Sequence, residues 1–256
     1  MAMHRQAAAL AHDVAAAFGL LTRLPVPVDG ARAAARGARG AWAFPLVGAV
    51  VGLLTAGVAA GALAIGLGPV AAAIAAVGVG IMLTGALHED GLADTADGFW
   101  GGWTSERRLG IMKDSRIGAY GVIALVLAVS MKVALVADLI TAGQRVAALV
   151  AAACGARAAM VAVWAALPPA RPDGLARSMG RPGAGTATAA ILVALPVFAL
   201  LSPAAMLWSG AAAALGAGLV ARSAARRIGG QTGDVLGAVQ QVSEIAILAA
   251  VAATLP

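Results

Sequence analysis

The chain has 256 residues, 61% of them hydrophobic and only 12% charged, with a mean hydropathy of +0.89. A soluble domain carries about 45–50% apolar and about 25% charged residues, so this composition excludes a water-soluble globule. The net charge of +6 does not point to nucleic acid, because the arginines stand in loops between apolar runs, where membrane topology accounts for them.

The apolar content is Ala, Val, Leu and 33 Gly rather than aromatics. Small residues let helix backbones approach closely in lipid. The single Cys154 lies in an apolar run, so there is no disulfide framework and the thiol is expected to be a small buried hydrophobe. The first residues carry charges ahead of a Pro-containing segment, which is unlike a removable signal peptide.

In chain order, residues 4–24 form an expected amphipathic helix with Leu10, Val14, Ala17, Phe18 and Leu21 on one face. It stops at Pro25-Val26-Pro27 and is expected on the membrane surface or under the bundle. A basic linker, 29–40, holds Arg32, Arg36 and Arg39. Seven apolar spans are then expected near 44–66, 69–87, 118–140, 144–167, 186–202, 204–221 and 235–255, with Pro196 inside the fifth.

The expected fold is therefore an all-α, polytopic transmembrane bundle of about seven spans. It forms one integral membrane domain, 1–256, made of a basic amphipathic segment (1–43) and a bundle (44–256). With a cytoplasmic N-terminus, the inner segments collect Arg5, Arg23, Arg32, Arg36, Arg39, Arg107, Arg108, Lys113, Arg116, Arg171, Arg177, Arg181, Arg222, Arg226 and Arg227. The outer ones hold essentially Arg145 alone.

The first chemical segment is His88-Glu89-Asp90-Gly91-Leu92-Ala93-Asp94-Thr95-Ala96-Asp97-Gly98. Asp90, Asp94 and Asp97 are spaced i, i+4, i+7, so a helix would place them on one stripe. Carboxylates so close repel unless a cation sits between them, and oxygen ligands suit Mg²⁺ or Mn²⁺. Such ions borrow further ligands from phosphates, which points to a phosphate-bearing substrate. His88 could be a ligand, a base or an interfacial side chain.

In the next segment, Arg107 to Gly118, Lys113 and Arg116 are candidates for gripping phosphate, and Asp114 for completing the metal shell or holding Arg116. Arg107 and Arg108 are expected to anchor the third span. Further on, Gly229-Gly230-Gln231-Thr232-Gly233-Asp234 is a Gly-rich turn, with Thr232 and Gly233 placed to cradle phosphate and Asp234, Gln241 and Glu244 as polar candidates in or beside the last span. Arg157 falls mid-span and is expected to face the bundle interior, toward phosphate or an acid. Lys132 also lies within a span and was equally open to snorkelling, while Arg171 joins the cytoplasmic basin.

Taken in order, these motifs resemble the cobalamin synthase family, adenosylcobinamide-GDP ribazoletransferase. The likeness runs from Phe18-Gly19-Leu20-Leu21-Thr22-Arg23-Leu24-Pro25 and Phe44-Pro45-Leu46-Val47-Gly48 through the acidic motif and Met112-Lys113-Asp114-Ser115-Arg116-Ile117-Gly118. It continues in Ala170-Arg171-Pro172-Asp173-Gly174-Leu175 and ends in Thr232-Gly233-Asp234 and Leu236-Gly237-Ala238. Gln241 departs from the family pattern, where a carboxylate often stands. The resemblance implies Mg²⁺-dependent joining of adenosylcobinamide-GDP to α-ribazole, or its 5′-phosphate, with release of GMP, in the bacterial inner membrane. A mechanism follows as an expectation: metal on Asp90, Asp94 and Asp97; Lys113, Arg116 and Arg157 on the developing charge; Glu89 or Asp234 taking the proton.

Two rivals stay open. Enzymes of CDP-activated alcohols also space aspartates with Asp-Gly steps, but Gly91-Leu92-Ala93-Asp94 lacks the Arg expected soon after. A cation transporter would place charges deep in several spans and often show a repeat, and no repeat is evident. Membrane lipid is an expected neighbour, no nucleic acid is expected, and an oligomer is left open.

Overall fold

The computed structural model describes residues 2–255, with side chains from residue 7 onward except Leu175. The side chain of Arg5, counted above among the inner cations, lies outside that set. Helix α1 (Ala2–Leu21) ends ahead of Pro25, three residues short of the expected boundary. Helix α2 (Gly30–Arg36) is capped by Asp29, which accepts the Arg32 N–H, and a 3₁₀ turn, Gly37–Ala43, leads straight into α3 (Phe44–Ala64).

Then follow α4 (Pro69–Thr84), α5 (Leu87–Gly101), α6 (Ser105–Ile111), α7 (Ala119–Thr141), α8 (Arg145–Ala166), the short α9 (Leu175–Ser178), α10 (Ala184–Phe198), α11 (Pro203–Ile228) and α12 (Gly233–Ala252). Proline opens α4 and α11, where its missing N–H costs nothing, and Gly229 at φ 76° closes α11. The chain is an all-α, multi-pass membrane protein. Helices α3, α7, α8, α11 and α12 are long and apolar enough to cross a membrane.

All seven expected apolar segments form helices, but two are short. Helix α4 has 16 residues and α10 has 15, so neither spans a hydrocarbon core of about 30 Å at about 1.5 Å per residue. The α4–α5 pair makes a sixth crossing only if it is counted as one broken span, bent by 87°. Pro196 stands inside α10.

The bend has a local cause. Gly85 (φ 63°) and Ala86 (φ 58°) are both left-handed, which stops α4 and restarts the chain as α5 at nearly a right angle. Ala86 is the one non-glycine with positive φ among the described residues. Such a conformation persists only where the surroundings hold it. The Arg23 N–H donates to the Leu83 carbonyl at 2.7 Å, and the Ala86 N–H to Ile81 at 2.9 Å, fixing the corner.

Helix α8 is the hub. Helix α3 lies against it through Gly48 and Gly52, where an added Cβ would stand 2.3 Å from the Ala153 carbonyl and 2.6 Å from Val150 Cα. Close glycine contact of this kind replaces the hydrophobic drive that lipid cannot supply. Helix α12 packs on α8, α11 and α5.

Candidate active site

Two glycines set the site. Helices α5 and α12 cross at Gly91 and Gly237. A Cβ on Gly91 would lie 2.7 Å from the Asp234 carbonyl, and one on Gly237 would lie 3.2 Å from Gly91 Cα and from the His88 carbonyl. Only bare backbone allows this approach, and it brings the acidic face of α5 against the first turn of α12. Thr232 caps α12 by accepting the Val235 N–H, and its hydroxyl donates to Asp234 at 3.1 Å.

A backbone pair then delivers a cation. The Ala170 N–H donates to Gln231 and the Gln231 N–H to Pro168, each at 2.8 Å, which ties the loop after α8 to the turn before α12. Arg171 thereby stands 3.4 Å from Asp234 and 3.7 Å from Asp173, and Lys113 pairs with Asp173 in turn. A chain of alternating charge, Lys113–Asp173–Arg171–Asp234, rims the site.

Beside it opens a pocket of about 200 Å³ whose polar end is His88, Asp90, Arg171 and Asp234. Asp94 lies next to this group on α5, past the bend that ends α4. Its carboxyl is pushed up to about 7, first by partial burial and then by the like charges of Asp90, Asp234 and Asp97, with Arg171 opposing. The site thus gathers more negative charge than its own cations balance.

The stripe expected from the sequence is redrawn. The acidic segment is helical, and Asp97 turns away from the pocket: its carboxylate accepts the Gly118 and Gly121 N–H groups at 2.7 and 2.8 Å, capping α7. Asp114 is held by Arg116 at 2.7 Å, and that bond keeps its carboxyl down at about 2. Both carboxylates are engaged by those bonds. Among the described residues, no group of three or more His, Cys, Asp or Glu side chains is placed to hold a metal ion. The carboxylates that remain together are Asp90, Asp94 and Asp234. Thr232 and Gly233 lie at the α12 start, with Gly233 on the pocket wall.

Arg157, Glu89, Gln241 and Glu244 stand apart, in a cavity of about 40 Å³ inside the bundle that also touches His88. There Lys132 donates to Gln241 at 3.1 Å and lies 3.5 Å from Glu89 and 3.6 Å from Glu244. Gln241 donates to Glu89 at 2.9 Å, and Gln240 to Glu244 at 2.6 Å. Arg157 is 1% exposed and donates to the Ala153 carbonyl of its own helix. So Arg157 does not border the outer pocket, and Lys132 does not snorkel. Gln240 was not singled out from the sequence; its one signal was a second amide beside Gln241 in an apolar helix.

Comparison with known proteins settles the kinship. The family described as cobalamin-5-phosphate synthase matches residues 13–252. The chain belongs to that family. Curated relatives named adenosylcobinamide-GDP ribazoletransferase include those of Azorhizobium caulinodans, 47% identical over 92% of this chain and 93% of the relative, and Bradyrhizobium diazoefficiens, 45% identical over 94% and 93%. The Brucella anthropi relative is 44% identical over 93% of this chain and 95% of its own. No solved structure matches. As a member of the cobalamin-5-phosphate synthase family, the chain is a transferase of cobalamin biosynthesis. The family match covers every element that builds the pocket, from the end of α1 to α12.

Proposed function

We propose that this chain joins adenosylcobinamide-GDP to α-ribazole, or to its 5′-phosphate, releasing GMP and giving adenosylcobalamin or its 5′-phosphate. The curated relatives carry that activity in their names. One observation in the structure supports it most: Asp90 and Asp234 border a pocket with Arg171, and Asp94 on the same helix as Asp90 is close enough for their charges to push its carboxyl up, so negative charge exceeds what Arg171 balances. That is the environment in which a divalent cation and a diphosphate stabilise each other.

The donor set is oxygen-only and fits Mg²⁺, with Mn²⁺ as the substitute, because Mg²⁺ uses one or two carboxylates and completes its shell with phosphate and water. Asp90 and Asp94 would hold it, and when bound it supplies charge neutralisation on the diphosphate. Arg171, steadied by Asp234 and Asp173, orients the phosphates, and Lys113 extends the same rim. A secondary ribose hydroxyl of the ribazole, which stays free when the 5′ position is phosphorylated, attacks the cobinamide-linked phosphorus, the bond to the GMP oxygen breaks, and GMP leaves as a phosphate monoester. Asp234 accepts the hydroxyl proton. Arg116 and Arg157 play no direct part in this scheme, since one is paired with Asp114 and the other is enclosed.

The Lys and Arg residues in the segments around this rim support a site facing the cytoplasm from the inner membrane. The test is GMP release by the purified protein in lipid, from adenosylcobinamide-GDP plus α-ribazole, with and without Mg²⁺. Release only with both substrates and the metal is expected. Turnover of a labelled CDP-alcohol in place of the corrinoid would move the chain to the rival reaction.

A further inference from the structure

The outer pocket has a second end that the phosphate chemistry leaves unused. Its walls there are Phe44, Met160 and Trp164, with Leu20 and Leu21 of α1. The Phe44 and Trp164 rings stack with centroids 6.1 Å apart and planes inclined by 28°. Trp164 is only 2% exposed, yet its indole N–H has no hydrogen-bond partner among the described residues. A buried indole N–H ordinarily finds one, and leaving it unmade is unfavourable. On the same pocket, His88 Nε2 and Arg171 Nη1 are also buried and unpartnered.

We infer that this apolar end seats the base of the ribazole nucleoside, with the Trp164 indole N–H donating to the free nitrogen of that base. The inference rests on the reaction proposed above, and it assigns a place to one of its two substrates. The base of ribazole is a benzimidazole: two fused rings, apolar edges and a single ring nitrogen left to accept. Guanine, and the adenine of the adenosyl group, carry donors and acceptors around their edges, and Phe44, Met160, Leu20 and Leu21 offer them nothing, so burying either here leaves polar groups unmet. A corrin macrocycle is far too large for a cavity of about 200 Å³. Of the rings the two substrates bring, the benzimidazole alone matches in size and polarity. With the base against Trp164, the polar end at Asp234 and Arg171 is left for the sugar and its free secondary hydroxyls, which is where the attack is required.

Trp164→Phe keeps a ring on Phe44 and removes the donor. The expected result is a KM for α-ribazole raised about tenfold, with kcat and the KM for adenosylcobinamide-GDP held within about twofold. The second arm changes the ligand instead. An indole riboside, in which carbon replaces the accepting nitrogen, should be used about tenfold less well than ribazole by the wild-type enzyme and equally well by Trp164→Phe. Phe44→Leu, which keeps the donor and loses the stacked ring, should weaken both nucleosides alike while preserving the preference between them. A Trp164→Phe enzyme that still discriminates the two nucleosides, or whose loss falls on the corrinoid substrate, overturns the assignment. If Trp164→Phe does not fold, the Phe44→Leu and wild-type arms decide, and equal use of both nucleosides by the wild type overturns it. A wild-type protein inactive toward every nucleoside refutes the reaction itself, a distinct result.

Discussion

The outer pocket and the inner cavity share a wall at His88 and differ in their charge balance. Inside, Glu89 and Glu244 face Lys132 and Arg157, two carboxylates against two cations, cross-linked by Gln240 and Gln241. Outside, Asp90 and Asp234 face one pocket cation, Arg171, with the carboxyl of Asp94 crowding in beside them. The inner group is closed: buried charge is tolerated when it is paired and hydrogen-bonded. The outer group is incomplete without something positive, and it is the one reached from outside the bundle. Balance marks architecture here, and imbalance marks chemistry. Glu89 and Asp90, adjacent on α5, fall on opposite sides of that division, so the inner network holds the helix that carries the outer site.

Breaking the balanced side gives the largest effect. Lys132→Met leaves two carboxylates against the one remaining cation inside the bundle, and removing one partner of a buried pair costs about 3–5 kcal/mol. The variant is expected to be lost from the membrane fraction or to melt far below wild type. Adding Glu244→Gln restores the balance and should recover most of the stability. A Lys132→Met protein that melts like wild type would show that the network carries no such burden. Asp94→Asn tests the unbalanced side and should do the reverse. It relieves like-charge repulsion, so insertion and melting hold, while GMP release falls by about 10²–10³-fold. Wild-type turnover in purified Asp94→Asn would remove this aspartate from the reaction.

The same contrast explains what the sequence could disclose. Hydropathy located every long helix because lipid demands continuous apolar runs, and Pro and Gly marked ends such as Pro203 and Gly229. The acidic motif was legible as chemistry, since so few carboxylates occur elsewhere in the chain. Its grouping was not. Spacing on one helix put Asp97 with Asp90 and Asp94, but Asp97 answers to the N–H groups of α7, more than twenty residues away. The member it yields to, Asp234, comes from the far end of the chain through a glycine crossing that no periodicity reports. Lys132 was ambiguous for a related reason: a lone cation in a span has no visible partner until α5 and α12 are packed beside it. The bend at Ala86 escaped as well, because alanine gives no sign of a left-handed backbone.

That crossing supplies the next prediction. Gly91→Ala places a methyl 2.7 Å from the Asp234 carbonyl, with backbone on the other side and no flexible side chain to give way. Overpacking of this sort costs about 1–3 kcal/mol. Because the displaced helix carries Asp90 and Asp94, turnover should fall more than stability does. Melting temperature and GMP release measured on one preparation separate the two, and a proportional loss would deny the crossing its part in aligning the acids.

The smallest effect is expected at a third charged group, where a single acid is balanced by a single cation. Asp13 on α1 is buried, which raises its carboxyl, but hydrogen bonds from Arg36 and from Trp42 at 3.0 Å more than offset this, and the net shift is downward from 3.8. A carboxyl lowered on folding contributes stability above its ordinary value and loses it as the pH falls through the folded one. Docking of α1 onto α2 and the 3₁₀ turn should therefore be constant at neutral pH and weaken only below about pH 4. Hydrogen-exchange protection factors of α1 amides, corrected for the intrinsic rate, report this directly. Asp13→Asn should lower protection at neutral pH by about tenfold and leave little further change on acidification. Since α1 lends Leu20 and Leu21 to the outer pocket, the same variant should raise the α-ribazole KM slightly and leave Lys132 and its partners undisturbed. Equal protection in the two proteins would mean that α1 is held by its apolar face alone, and that this third balance is incidental to the fold.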